Sequence, residues 1–538
     1  MPLNSIPLLK NCIKHAVYLN VHKFCTKAPQ HYDIIVAGGG IVGTTLACTL
    51  GKNTKLNGHS ILLLESGKPR SYVLEEKYSN RVSSINLNTY NLLNKIGAWK
   101  HIADVRCSQV TNMQVWDAIS DVMISFNHEE VSKVAVHIVE NNLLMHAVDK
   151  EIANLDNVVV KNQIKVKEYL LPENFSQNVT VHLDGGETLT CNLLLGCDGV
   201  QSQVRNAMRQ NYISWKYNQT GIVATLQLSE SNENVTAWQR FLPTGPVALL
   251  PLKNNLSSLV WSTTPEQAQS LMDLSEDAFV DKVNDAFCKP YDNNYVIRES
   301  TKGFNSLLEY LELPNFNEKQ IPPKITGIDS GSRASFPYAF GHATNYVKQR
   351  VALVGDAAHR VHPLAGQGVN LGFGDVSTLN NILGEAVYSG RSLGQLRDLK
   401  EYETLRQRHN FPTMVAIDSL HKVYNTDFPP IVLLRSLGLQ FTHALNPLKK
   451  MSLKRQKRKN LFVEAVLTNA LYKAESELKN KQQERLQRWR SIKIDLTRVQ
   501  YPENTTPAIV WNNQTFEELD SLNQFMSKLK EIKFPVQR

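Results

Sequence analysis

Tyr32-Asp-Ile-Ile-Val-Ala37 is an apolar run that enters Gly38-Gly39-Gly40-Ile41-Val42-Gly43. Thr44 to Leu50 continue with helical periodicity, and a second apolar run, Ile61 to Leu64, ends at Glu65. Strand, glycine turn, helix, strand and acid in that order predict a βαβ unit. Gly38 permits the tight turn, Gly40 lets the backbone approach a pyrophosphate, and Gly43 lets helix and strand pack. The helix N-terminus faces the phosphates, and Glu65, 22 residues after Gly43, is placed to accept hydrogen bonds from a ribose hydroxyl. The motif specifies dinucleotide binding. It does not separate a flavin from a nicotinamide dinucleotide.

Two later stretches repeat the pattern of a buried strand delivering polar groups at its carboxyl end. Leu193-Leu194-Leu195 runs into Cys197-Asp198-Gly199-x-x-Ser202-x-x-Arg205. Asp198 can hold ligand groups or helix N–H groups, and Arg205 can hold an anion or cap the strand layer. Arg350 to Val354 runs into Gly355-Asp356-Ala357-Ala358-His359-x-x-x-Pro363-x-x-Gly366-Gln367-Gly368-x-Asn370. A carboxylate at Asp356 can bind the hydroxyls of a ribityl chain. The Pro363 to Gly368 loop at a helix N-terminus can present backbone N–H groups to an electron-rich ring edge. An ordinary glycine-rich loop would not explain why Asp356, Pro363, Gly366 and Gly368 fall at these intervals.

Between these motifs, from about Thr220 to Phe340, the texture changes to short strands with Pro and Gly turns, such as Leu249-Leu-Pro-Leu252 and Leu259-Val-Trp261. The expected fold is α/β: a Rossmann-like dinucleotide-binding domain (31–105, 135–210 and 346–385) with an inserted, mostly antiparallel β-sheet substrate domain (106–134 and 211–345). C-terminal helices (386–450) and a basic helical extension (451–538) follow.

Together, the Gly38 to Gly43, Asp198-Gly199 and Gly355-Asp356 motifs resemble the flavoprotein aromatic hydroxylases of the p-hydroxybenzoate hydroxylase type. Finer strings resemble the ubiquinone-biosynthesis branch of that family, the mitochondrial ubiquinone ring C5-hydroxylases. These strings are Trp238-Gln-Arg-Phe-Leu-Pro-Thr-Gly-Pro246, Pro251-Leu252, Val260-Trp261-Ser262 and His359-Arg-Val-His362-Pro-Leu-Ala-Gly366-Gln-Gly-Val-Asn370, with Arg81 and Leu92 to Trp99. The likeness runs from about Tyr32 to about Lys450. It implies FAD held non-covalently, O₂ trapped as a flavin C4a-hydroperoxide, and attack by the ring of a polyprenylated 4-hydroxybenzoate-type phenol. It further implies that Gly38, Gly40, Gly43 and Glu65 bind the ADP half with Arg81 nearby. Asp198, Gly355 and Asp356 would lie along the flavin chain, and Pro363, Gly366, Gln367, Gly368 and Asn370 against the isoalloxazine. No catalytic acid or base is assigned, and His359 and His362 are read as stabilising the flavin loop. The implied electron source is ferredoxin with ferredoxin reductase, and the implied setting is the ubiquinone-biosynthesis protein complex on the matrix side of the mitochondrial inner membrane. A non-catalytic scaffold subunit and an NAD-dependent dehydrogenase are the competing readings.

Composition bounds the rest. The chain has 538 residues and 42% apolar content, too long for one ordinary core. No run of about 18 apolar residues occurs, so membrane contact, if made, is peripheral. Seven cysteines show no metal-ligand spacing and suit a reducing compartment. No metal and no nucleic-acid partner is expected. Residues 1–30 carry Lys10, Lys14, Lys23 and Lys27 with no acid and an apolar helical stripe, which is the pattern of a mitochondrial transit peptide. Pro429 to Leu448 carries apolar residues at helical spacing, read either as a core-facing helix or as a membrane-surface helix. Seven of the eleven residues from Lys449 to Lys459 are Lys or Arg, a solvated linker or helix face, or else a surface for anionic lipid or nucleic acid, with the solvated reading placed first.

Overall fold

The computed structural model describes residues 29–72, 75–120, 122–126, 136–229, 234–291, 321–426, 428, 430–432 and 434–435. The leader, most of the segment from Pro429 to Leu448, and the basic extension lie outside the described residues.

Along the chain, β1 (Gln30–Ala37), α1 (Ile41–Gly51), β2 (Ile61–Leu64), β3 (Val158–Lys161) and β4 (Thr188–Gly196) build the nucleotide-binding half. β5 (Tyr212–Leu228), β6 (Thr236–Leu242), β7 (Gly245–Pro251), β8 (Leu256–Thr263) and β9 (Ala334–Ala343) build the second half. β10 (Val351–Leu353), α2 (Gly368–Tyr388) and α3 (Leu396–Tyr424) return to the first.

In the first sheet β1 sits between β4 and β2, both parallel to it, with β3 beyond β2 and β10 parallel to β4. Ile34, Ile35 and Val36 are fully buried, as are Leu193 to Leu195. A parallel sheet covered on both faces makes its central strands continuous apolar runs, which is why these stretches show no alternation. The Asp184-Gly185-Gly186 turn joins Val179–Leu183 to β4 in the expected hairpin.

Among the described residues the second sheet has nine strands ordered His359–Arg360, β9, β5, β8, β7, β6, Asn112–Asp117 and Met123–Phe126, with Ile325–Ile328 also on β5. It is antiparallel except where Asn112–Asp117 runs parallel to β6. Alternation along each strand divides its residues between two surfaces. Trp238, Leu249, Leu259 and Trp261 face the helices Pro265–Met272 and Glu276–Cys288, where Phe279, Val283 and Phe287 complete a core. Gln239, Ala248, Ser258, Val260 and Ser262 face the other way, into a cavity shared with the Pro363–Gly368 loop.

Buried ionic groups tie the long helices together. Asp375 on α2 is fully buried; it accepts from Arg406 Nε of α3 at 2.6 Å, the Gly355 N–H at 2.9 Å and Asn410 Nδ2 at 3.2 Å, and contacts His359 Nε2 at 2.6 Å. Burial alone would raise its carboxyl, but His359 and Arg406 hold it well below the usual carboxylate range. No helix among the described residues is long and apolar enough to cross a membrane.

Candidate active site

The glycine turn after β1 is held by packing that only glycine permits. Gly38 has φ +101°, and a Cβ on Gly43 would strike the Gly38 carbonyl. Above Gly40, by contrast, no protein atom lies within 4 Å of where a Cβ would point, leaving open space over the N-terminus of α1. Glu65 accepts from the Gly39 N–H at 2.7 Å and the Gly67 N–H at 2.6 Å. A carboxylate has about four acceptor positions, so Glu65 braces the turn and keeps capacity for a sugar hydroxyl. Arg70, which sequence reasoning did not single out, hydrogen-bonds the Gly39 carbonyl and pairs with Asp149 at 3.0 Å. It sits in a turn with no periodic signal.

Asp198 does one of the two jobs expected of it within the protein. Its Oδ2 accepts from the Gln203 N–H at 2.7 Å and the Val204 N–H at 3.1 Å, while its Oδ1 is buried with no partner. Arg205 holds carbonyls rather than an anion: Nη1 donates to Ala357 O at 2.9 Å and Nη2 to Val200 O at 2.7 Å. It thereby joins the second motif to the third.

The third motif opens onto a cavity of about 580 Å³. On one side lie Arg81, Asp356, Pro363, Gly366, Gln367 and Gly368; on the other are Val223, Gln239, Ala248, Val260, Ser262 and Tyr338 of the antiparallel sheet. Asp356 is open to this cavity yet ringed by protein, and that crowding pushes its carboxyl up despite His359 and Arg360 nearby. No described residue hydrogen-bonds its carboxylate. Asn370 does not line the cavity. Its Nδ2 donates to Ser84 O at 2.7 Å and Gly366 O at 3.1 Å, and its Oδ1 accepts from the Asn86 N–H and Thr89 Oγ1. The amide is thus spent holding the loop to the strand Val82–Ile85 and the helix after it.

The two histidines are also supports. His362 is fully buried; its Nδ1 accepts from the Leu364 N–H at 3.1 Å, so Nε2 carries the proton and donates to Gln219 Oε1 at 2.9 Å. Burial, and then His421 beside it, brings its pKa down to about 3, so the ring is neutral. Tyr338 and Tyr217 pack edge-on against it at 4.6 and 4.9 Å. Tyr338 Oη lies 3.2 Å from Ser262 Oγ, and burial pushes its hydroxyl up to about 12, so it stays a donor. The alternation Phe336-x-Tyr338-x-Phe340 carried the signal for this inward-facing tyrosine.

The arrangement fits a flavin dinucleotide. An open glycine turn, an unpartnered Asp198 oxygen and an unpartnered Asp356 carboxylate follow one another toward an apolar cavity. The chain matches the FAD binding domain family over residues 31–305 and 314–415. PqsL, a probable FAD-dependent monooxygenase from Pseudomonas aeruginosa, superposes with a TM-score of 0.57 at 20% identity, over 76% of this chain and all of that one. The p-nitrophenol 4-monooxygenase PnpA from Pseudomonas putida superposes with a TM-score of 0.52 at 17% identity, over 83% and 98%. At those identities the likeness speaks for the fold alone. Fold, cavity and family match define the class, an FAD-binding flavoprotein.

Sequence relatives narrow it. The mitochondrial ubiquinone biosynthesis monooxygenase COQ6 of Danio rerio is 45% identical over 79% of this chain and 89% of its own length. The Homo sapiens protein of that name is 46% identical over 78% and 91%, and the Caenorhabditis elegans one 39% over 78% and 95%. The chain belongs to this family of ubiquinone biosynthesis monooxygenases.

Proposed function

We propose that this protein hydroxylates ring carbon 5 of a polyprenylated 4-hydroxybenzoate-type phenol on the route to ubiquinone, in mitochondria. The carrying observation is the cavity that runs from the Asp356 and Pro363–Gly368 loop to an apolar face of the antiparallel sheet. A ring substrate there lies against the flavin loop with little water, as oxygen transfer requires. When bound, FAD supplies the redox chemistry that activates O₂; the protein binds, orients and excludes water. Gly38, Gly40, Gly43 and Glu65, with Arg81, are assigned to the ADP half, and Asp198, Gly355 and Asp356 to the chain linking it to the ring. Pro363, Gly366, Gln367 and Gly368 are assigned to the ring itself, with Asn370 positioning their loop. No side chain is assigned as catalytic acid or base.

Intact carboxylates with unmet hydrogen-bonding capacity argue against an idle scaffold, and the FAD family match against an NAD-dependent dehydrogenase. We assign ferredoxin and its reductase as electron source, and a peripheral place on the matrix side of the inner membrane within a ubiquinone-synthesis complex. The support for the membrane placement is the lipid-soluble substrate; the electron source and the complex are what the family resemblance implies. Mass spectrometry of quinone precursors in cells lacking the protein tests the assignment. Accumulation of a prenylated ring lacking only the C5 oxygen and its later additions is expected. A precursor already oxygenated at C5 overturns it.

A further inference from the structure

The sheet side of the cavity is apolar apart from a few side chains, and two of those have no partner. Gln239 Nε2 and Ser258 Oγ are both shut off from solvent and make no hydrogen bond. An unmet buried polar group carries an uncompensated desolvation penalty, so a folded protein that keeps one in a cavity wall calls for a physical reason. Neither group is a by-product of the sheet's own bonding. Gln239 pairs with Ala248 and Ser258 with Leu250 through backbone, and in both cases the side chain projects to the cavity.

Their placement is asymmetric. Ala248 lies between Gln239 and Val260 in one cross-strand row, so a small residue stands next to the amide and leaves room above the sheet. Tyr338 and Ser262 satisfy each other at the end of the cavity nearer His362 and the flavin loop. The unmet groups are therefore not those beside the loop but those farther along the sheet. Their surroundings, Val223, Leu250 and Val260, offer no alternative acceptor.

We propose that the Gln239 side-chain amide is the specificity contact of this site, donating from Nε2 to an oxygen substituent on the substrate's aromatic ring. Ser258 Oγ offers a second polar point at the same wall. The inference rests on the reading of the cavity as a phenol site and adds which residue distinguishes an oxygenated ring from a bare one. A site built to hydrogen-bond an oxygen rejects the analogue that lacks it, because its buried donor is then left unmet.

The holoenzyme with bound FAD is titrated with 4-butylphenol and with butylbenzene, following the flavin absorption spectrum. Wild type is expected to bind the phenol about tenfold more tightly, the equivalent of one buried hydrogen bond. Gln239→Met, which keeps length and removes the amide, is expected to bring the two dissociation constants within about twofold by raising only that of the phenol. FAD content should stay unchanged. Gln239→Leu provides a second apolar replacement should the methionine variant fail to accumulate. If wild type perturbs its spectrum with neither compound, or equally with both, the phenol-site reading falls and this proposal with it. If wild type prefers the phenol and the variants keep that preference in full, only the role of Gln239 is overturned.

Discussion

Asp198 and Asp356 both keep hydrogen-bonding capacity that the protein itself does not use. The N-terminus of the short helix Gln203–Met208 takes one oxygen of Asp198 and nothing takes the other. Asp356 has neither oxygen engaged, and the protein crowded around its open carboxyl pushes the pKa up. Asp356→Ala is expected to yield folded protein largely free of FAD, since hydrogen bonds to a charged group contribute about 1.5–3 kcal/mol each. The ratio of flavin to protein absorbance checks it, and normal occupancy would remove Asp356 from the site. His362 carries a different consequence. Its folded pKa, about 3, is depressed by burial, so its contribution is intact above about 6.5 and is lost as pH falls toward 3. Urea unfolding at pH 7.5 and 5.5 should show wild type losing about 1.4 kcal/mol that His362→Gln does not lose. An equal loss in both proteins would mean that the ring is not held neutral. Sequence spacing was enough to single out Asp198, Asp356 and the loop as candidates. It could not reveal that Asn370 spends its whole amide on Ser84, Gly366, Asn86 and Thr89, because those partners are distant in the chain or hidden in its turns.

At the scale of elements, the strand, glycine turn, helix and strand from Gln30 to Leu64 were legible because each is specified locally. Apolar runs make buried parallel strands, and a turn with φ +101° at Gly38 requires glycine. The pairing of Asn112–Asp117 with β6 was not legible, since about 120 intervening residues leave no local trace of register. Nor was the coupling of α2 to α3. It depends on Asp375 and Arg406, two residues of ordinary appearance 31 positions apart that meet at 2.6 Å with almost no solvent access. Removing the guanidinium leaves the buried Asp375 charge with only His359, the Gly355 N–H and Asn410 to hold it. Arg406→Leu is therefore expected to cost about 3–5 kcal/mol in urea unfolding, and more than Arg391→Leu, which removes a half-exposed guanidinium paired with Asp398. The same substitution should loosen the His359 end of the flavin loop through Asp375. A cost below about 1 kcal/mol would mean that water reaches the pair.

Across the whole molecule, the cavity lies between the Asp356 to Gly368 segment and the antiparallel sheet, and the C-terminal segment is where local pattern decides least. The apolar spacing from Pro429 onward suits either a membrane surface or a core, and pattern alone does not choose between them. Its described part turns inward. Val432 is fully buried against Ile119, and Arg435 donates from Nη2 to the buried Asp117 at 2.8 Å and from Nη1 to the carbonyls of Val423 and Thr426. The antiparallel half is thus locked by a residue beyond the FAD binding domain match, which ends at residue 415. Two shortened chains separate this lock from the basic extension. A chain ending at Lys450 keeps Arg435 and is expected to retain FAD and restore ubiquinone synthesis in deficient cells, leaving the basic extension for partner or lipid contacts. A chain ending at Thr426 loses the guanidinium and leaves the buried Asp117 charge without its cation, held only by Ser120, so it is expected to be less stable by about 3–5 kcal/mol and to shed flavin. Arg435→Met in the longer chain should reproduce most of that loss. If the chain ending at Lys450 is itself unfolded or inactive, residues 451–538 belong to the enzyme. If the chain ending at Thr426 is as stable as the full protein, the Asp117–Arg435 pair contributes nothing that water does not replace.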